Sequence, residues 1–255
     1  MMLNDFQMIV HKLPTEVPYI NIYPIGDVHI GSKECDLELL KRWLEEVQSD
    51  QYGYVVIIGD MMNMGLRNSK SNVYEEVLNP TQQKELLYEI LLPIKDKILA
   101  AVSGNHEYRG VKEAGSNPLY DVFCRLQIEG VYRENACFVK INLGQRKSDR
   151  QVSYTLTVTH GATRNKDENW TYCVDNCDLF INGHIHSGYH KPYGKIRLDL
   201  QNEVVRTVGY QQVIVMPFQK YGGYTIRGKH KPIHLGQFQR IRLDGSTKMI
   251  GYTFE

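Results

Sequence analysis

No apolar run in this 255-residue chain approaches the length needed to cross a bilayer. A basic stretch followed by an apolar core and a cleavage site is missing from its start, so neither a span nor a secretory leader is expected. Cysteine is scarce: Cys35, Cys124, Cys137, Cys173 and Cys177 are five residues, an odd number at no framework spacing. That excludes a disulfide scaffold and favours reduced thiols in a cytoplasmic setting. Cys173 and Cys177 could form half a zinc site, but there is no second pair to complete it, so they read as ordinary thiols. Charge excess is missing too, and a net charge of +1 neither requires nor excludes a nucleic-acid partner. No repeat, low-complexity tract or linker divides the chain. A single domain over residues 1–255 is expected, helix-rich to about 134 and strand-rich from about 135 onward. A chain of this length typically buries roughly three quarters of its unfolded surface, so it needs no covalent staples.

What the chain does have is a series of strand-like runs ending in polar residues. YVVIIGD (residues 54–60) reads as a fully buried strand that stops at Gly59-Asp60. An acid at the carboxyl end of such a strand lies where open α/β sheets bind ligands. Four other runs end similarly: IYPIGDVH with Asp27 and His29, ILAAVSGNHE with Asn105, His106 and Glu107, YTLTVTHG with His160, and DLFINGHIH with His184 and His186. In extended chain, residues two apart point to one side, which lets one ion take both Asp27 and His29, and places His184 and His186 together. Glycine before Asn105-His106 permits a sharp turn.

Between these runs the pattern is α/β. DLELLKRWLEEVQ (36–48) places Leu37, Leu40, Trp43, Leu44 and Val47 at helical spacing, completing a βαβ unit with a parallel strand pair. Residues 61–79 read as irregular, and Asn79-Pro80 opens a helix to about Lys97, bent at Pro93. Asn117-Pro118 opens a shorter helix. From Cys137 onward CFVKINL, VSYTLTVT, KIRLDLQ, VVRTVG, QVIVMP, FQRIRLD and MIGYTF read as separate strands. Two packed sheets with helices outside are expected.

Each motif has a plain alternative. Asp-x-His arises by chance at capped turns, and a His pair can be a satisfied surface feature. Five in order, each behind a strand, are better explained together, as a two-metal hydrolytic site bridged by Asp60. At this point the chain resembles the calcineurin-like metallophosphoesterase superfamily, whose pattern D-x-H, G-D, G-N-H-[DE], H, G-H-x-H is matched from residue 25 to 186. The resemblance implies a four-layer α/β/β/α sandwich of two mixed sheets and a hydrolase in which a metal-generated hydroxide attacks phosphorus in line. It implies one metal held by Asp27, His29, Asp60 and His186, and a second held by Asp60, Asn105, His160 and His184. His106 stands off the metals as the catalytic histidine. Nitrogen and oxygen ligands without thiolate suit Mn²⁺, with Fe, Zn²⁺ or Ni²⁺ as alternatives. Many members read G-D-x-x-D, the second acid orienting that histidine; here the position is Asn63.

For the substrate, the turn Asp27-Val28-His29-Ile30-Gly31 is similar to that of DNA-processing members, and GDMMNMGLRNSKSNVYEE with GNHEYR resembles phosphoesterases of phages and their bacterial hosts. Both lean toward a phosphodiesterase or nuclease acting on DNA, RNA or nucleotides. The alternatives are a small-molecule phosphomonoesterase or cyclic-nucleotide phosphodiesterase, and a non-catalytic scaffold, which the complete ligand set disfavours. Aromatics and cations interleave from Tyr210 to His234, including Phe218, Tyr221, Tyr224 and Lys229, as in base-stacking surfaces; an ordinary sheet edge is the alternative. Arg67, Arg109 and Arg164, in loops after ligand turns, are further substrate-binding candidates, with Lys70, Lys112 and Lys166. No membrane partner is expected, and the oligomeric state is not legible.

Overall fold

The β-branched runs become the central strands of two six-stranded mixed sheets. The computed structural model describes residues 5–67, 69, 73–162, 173–227 and 239–254. Its strands are β1 (Ile9–Lys12), β2 (Tyr19–Ile25), β3 (Gly53–Ile57), β4 (Ile98–Val102), β5 (Tyr132–Arg133), β6 (Ala136–Leu143), β7 (Val152–Thr159), β8 (Leu179–Asn182), β9 (Tyr189–Asp199), β10 (Val204–Ile214), β11 (Gln239–Asp244) and β12 (Ile250–Phe254). The helices are α1 (Leu37–Ser49), α2 (Pro80–Leu91), α3 (Glu107–Ala114), α4 (Pro118–Leu126) and the single turn α5 (Gly223–Arg227).

One sheet runs β12-β11-β2-β3-β4-β5 and the other β1-β6-β7-β8-β10-β9. Residues Val55 to Ile58 show why the 54–58 run is continuously apolar. Val56 and Ile58 face the core between the sheets, with Ile141, Leu156, Ile181 and Val213 opposite. Val55 and Ile57 face the other way, toward Leu40, Trp43, Leu87 and Phe123 of the helices. A strand covered on both sides has no polar face to alternate.

Local signals set the helices. Asp36 caps α1 by accepting from Leu39 N at 3.0 Å. Asn79 and Gln82 cap α2 reciprocally, with Pro80 at its first position. The run expected to reach Lys97 as one bent helix changes instead to a tighter 3₁₀ segment over Leu92–Lys97, because Pro93 has no N–H to continue the α-helix. Two other expectations fail. VVRTVG and QVIV are not separate strands but one, β10, paired throughout with an equally long β9. Residues 107–114, read as loop, form α3, which ends at Gly115 in a left-handed conformation (φ 66°). Its Gly110 breaks any apolar repeat because a Cβ there would lie 3.0 Å from Pro118.

Candidate metal centre

Parallel pairing sends the ligand turns to one end. β2, β3 and β4 run side by side in the same direction, so Asp27, Asp60 and Asn105 leave together. β7 and β8 are parallel in the facing sheet, which brings His160 beside Gly183; the Gly183 amide donates to His160 O at 3.0 Å. Bonds within and between the sheets then lock the turns. Asp27 Oδ2 accepts from the His184 amide at 2.9 Å, Asp60 Oδ1 from the His106 amide at 2.8 Å, and His160 Nδ1 lies 2.7 Å from Ile58 O.

The reason given from sequence for pairing Asp27 with His29, and His184 with His186, does not hold. None of the four is in extended chain. Asp27, His29, Asp60, His184 and His186 all have left-handed backbones, with φ of 49°, 54°, 50°, 68° and 54°. The two histidines of Gly-His-Ile-His therefore part company. His186 joins Asp27 and His29, whereas His184 joins Asp60 and His160. Gly104 matters for space rather than for a turn, since a Cβ there would sit 2.1 Å from Asp60 Oδ1.

Asp60 Oδ2 lies 3.3 Å from His160 Nε2 and 3.8 Å from both His29 Nε2 and His106 Nε2. Asp27 Oδ1 is 3.3 Å from His186 Nε2, and His29 Nε2 is also 3.3 Å from that nitrogen. Asn105 Oδ1 stands 3.2 Å from His160 Nε2 and 2.9 Å from His184 Nδ1. The ligand atoms fall into three groups, each within 4.8 Å: Asp27/His29/His186, His29/Asp60/His106 and Asp60/His160/His184.

The electrostatics call for positive charge. Burial opposes ionisation of Asp60, but His160 outweighs it and holds the carboxyl well below the usual range. Burial also disfavours a charged His160, yet Asp60 lifts that imidazole to about 10. Buried Asp27 Oδ1 makes no hydrogen bond of good geometry. Carboxylate, imidazole nitrogen and amide oxygen converging on orphaned oxygen at this density fit divalent ions.

Glu107, which the turn offered as a potential ligand, is spent elsewhere. Fully buried, it accepts from the amides of Asp60 (2.8 Å), Met62 (3.0 Å) and Gly104 (2.8 Å), fastening two ligand turns together. Burial and the Asp60 charge push its carboxyl up to about 7, against the pull of those amides.

His106 is held unexpectedly. Asn63, in place of the family's acid, turns its side chain to Glu76; its backbone carbonyl lies 2.7 Å from His106 Nδ1. Glu76 Oε2 is fixed by Gln83 Nε2 at 2.9 Å, and Gln83 Oε1 accepts from Met64 N at 3.0 Å. Arg109, on the first turn of α3 rather than in a loop, donates to Asn63 O at 3.0 Å and lies 2.9 Å from His106 Nε2. A guanidinium only donates, so His106 Nε2 accepts and Nδ1 carries the proton toward Asn63. Burial, reinforced by Arg109 and resisted by Asp60, presses the imidazole down to about 4. The sequence hid Glu76 in an irregular loop; Gln83, a buried polar residue on α2, lies on an otherwise apolar face.

The remaining substrate-binding candidates divide. Tyr221 is exposed on a segment held against the ligand turns, where Phe218 N donates to Asp27 O at 3.2 Å and Lys220 N to Glu34 O at 2.7 Å. Arg67 is exposed at a turn. Tyr210 and Phe218 are buried and belong to the cores, as the ordinary reading has it. Arg164, Lys70, Lys166, Lys229 and the side chain of Tyr224 lie outside the described residues. Cys173 is exposed and Cys177 buried, and among the described residues no thiol joins a ligand group.

A family model described as calcineurin-like phosphoesterase matches residues 20–223. No curated protein matches. Similar solved structures include TT1561 of Thermus thermophilus, at 11% identity and a TM-score of 0.42, covering 92% of this chain and 98% of that one.

Proposed function

The chain belongs to the calcineurin-like phosphoesterase family and is a metal-dependent phosphoric ester hydrolase; from that premise we propose that it cleaves phosphodiesters of nucleic acids or nucleotides. The observation that carries this reading is the position of the aromatic-basic segment. Its stretch from Phe218 to Lys220 lies along the Asp27–Glu34 turn, and Arg227 reaches Glu75 at 3.3 Å on the loop that orients His106. An exposed Tyr221, next to the Lys220 that bonds to Glu34, suits stacking on a base whose phosphate occupies the site.

Asp27, His29, Asp60 and His186 would hold one divalent ion in this reading; Asp60, Asn105, His160 and His184 would hold the other, and Mn²⁺ is the proposed metal. When bound, the ions supply Lewis acidity toward the phosphoryl oxygens and lower the pKa of water toward neutrality. Asp60 serves both sites with one carboxylate. Glu107 fixes the backbones of the Asp60 and Gly104 turns. His106 is the proposed catalytic histidine, and because it enters neutral, Arg109 brings the positive charge to the phosphoryl oxygens.

The test is a substrate panel with manganese-loaded protein: bis-p-nitrophenyl phosphate, p-nitrophenyl phosphate, cyclic nucleotides, and single- and double-stranded DNA and RNA. Diesters should be cleaved faster than the monoester, and oligonucleotide binding should weaken steeply with salt through counterion release. Joint Tyr221→Ala and Tyr224→Ala substitution should weaken single-strand binding by about 1–3 kcal/mol per stacked base lost, leaving bis-p-nitrophenyl phosphate hydrolysis nearly unchanged. Cleavage of monoesters alone would replace this reading with a small-molecule phosphatase.

A further inference from the structure

The paired strands β9 and β10 outrun the sheet they belong to. They pair over eleven residues each, but β8 accompanies only Gln211–Ile214. Beyond that point they continue as a two-stranded ribbon, and β9 is the last strand of its sheet among the described residues. A free two-stranded ribbon is marginal in water.

The ribbon has two unlike faces. Leu198 opposite Val205 and Ile196 opposite Thr207 lie on one side, beyond the Gly194–Gly209 pair. Arg197 opposite Arg206, Lys195 opposite Val208 and Asp199 opposite Val204 lie on the other. On the first face Ile196 is 74% exposed, Leu198 65% and Val205 68%, with Leu200 at 85% just past the strand end. Isolated exposed apolar residues are ordinary, but Ile196, Leu198 and Val205 on one face of a ribbon whose outer strand has no neighbour among the described residues are a patch.

We propose that the ribbon is a dimerisation arm, β9 pairing antiparallel with β9 of a second copy of this chain about a twofold axis at Leu198. Self-pairing opposes residues placed symmetrically about the axis, so the charge pattern selects the register. An axis at Ile196 sets Lys195 opposite Arg197. An axis at Arg197 brings two arginines together on it, and Lys195, which would then face Asp199, is already turned to Asp175 at 3.3 Å; an axis at Asp199 brings two carboxylates together. An axis at Leu198 sets Arg197 opposite Asp199 of the second copy, twice, with Leu198 against Leu198. Opposite charges facing one another across strands are favourable and like charges are not, while main-chain bonds along the new edge supply affinity. Asp199 already accepts from Arg206 Nε at 3.2 Å and from Asn202, and a carboxylate has lone pairs for a further donor. The arm points away from the metal centre, because β10 is parallel to β8 and the ribbon tip is where β10 begins.

Sedimentation equilibrium and light scattering on the full chain test this, with circular dichroism confirming the fold of each variant. The protein is expected to dimerise at micromolar concentration, and Leu198→Asp, which puts two carboxylates on the axis, to leave monomers. Arg197→Asp or Asp199→Arg alone should weaken self-association about tenfold or more, and the double reversal should restore it. A wild-type protein monomeric at tens of micromolar, on the order of a weak specific dimer, would overturn the proposal. So would a folded Leu198→Asp variant that still dimerises, or a double reversal no tighter than the singles.

Discussion

Glu107→Gln is the substitution that most directly tests how the ligand turns are fastened. Glu107 Oε2 accepts two amides, from Asp60 and Gly104, and Oε1 accepts the Met62 amide. Glutamine keeps one oxygen, which the paired amides claim, so its NH₂ faces the Met62 N–H. A buried donor left unsatisfied costs about 1–3 kcal/mol. The two surviving bonds lose their charge assistance, roughly half their strength or about 0.5–1 kcal/mol each. Relief of repulsion with Asp60 returns part of that, leaving a loss of about 2–4 kcal/mol. Urea unfolding in the presence of chelator reads this directly at about pH 8, where a carboxyl pushed up to about 7 is mostly ionised. With a slope of about 3 kcal/mol per molar, the midpoint should fall by roughly 1 M. A midpoint within about 0.2 M of wild type at unchanged slope would mean that the amides are satisfied without the carboxylate. Metal affinity should fall as well, since the Asp60 and Gly104 turns lose their common anchor.

Other substitutions separate metal binding, catalysis and stability. Asp60→Asn should impair both metal sites, because Asp60 belongs to two of the three ligand groups; metal analysis finding one site untouched would contradict the shared carboxylate. His106→Ala should retain two ions yet lose about 10²–10⁴-fold in activity, a range typical of losing a proton-transfer group. Loss of one ion would instead make the His29/Asp60/His106 group a true ligand set. Asp50 holds Asn21 Nδ2 at 2.7 Å, Tyr23 Oη at 2.9 Å and Tyr52 N at 2.9 Å, and these bonds keep its carboxyl below the usual value although burial opposes them. Its stabilisation is present above an unfolded pKa of about 4 and lost as pH falls through the folded value. Asp50→Asn should therefore cost about 1 kcal/mol at neutral pH, a figure reduced by solvent access, with the gap closing in acid; a pH-independent gap would exclude the ionic contribution.

The convergence of the candidate ligands was legible because each follows a buried strand, and parallel strands must end at one place. The geometry was not. Asp27 and His29 looked like alternating strand residues, and nothing in the sequence shows that both backbones are left-handed. α3 was lost because Gly110 interrupts its apolar face for the sake of contact with Pro118. β10 looked like two strands because Gly209 and Tyr210 punctuate it, yet its pairing with β9 runs straight through them. Glu76 was invisible for a simpler reason: an acid in an irregular loop meets Asn63 only once the chain has folded back on itself.

Five candidate ligand residues in left-handed conformations carry a consequence for how such a chain changes over generations. At about 1–2 kcal/mol each, their strain sums to roughly 5–10 kcal/mol, as large as the whole net stability of many domains. Glycine would relieve it at every one of those positions while deleting a ligand. Asp27 and Asp60 also serve the fold, because their carboxylates accept the His184 and His106 amides. In a descendant that no longer needs the chemistry, His29, His184 and His186 should therefore drift before the two aspartates do, toward glycine and asparagine.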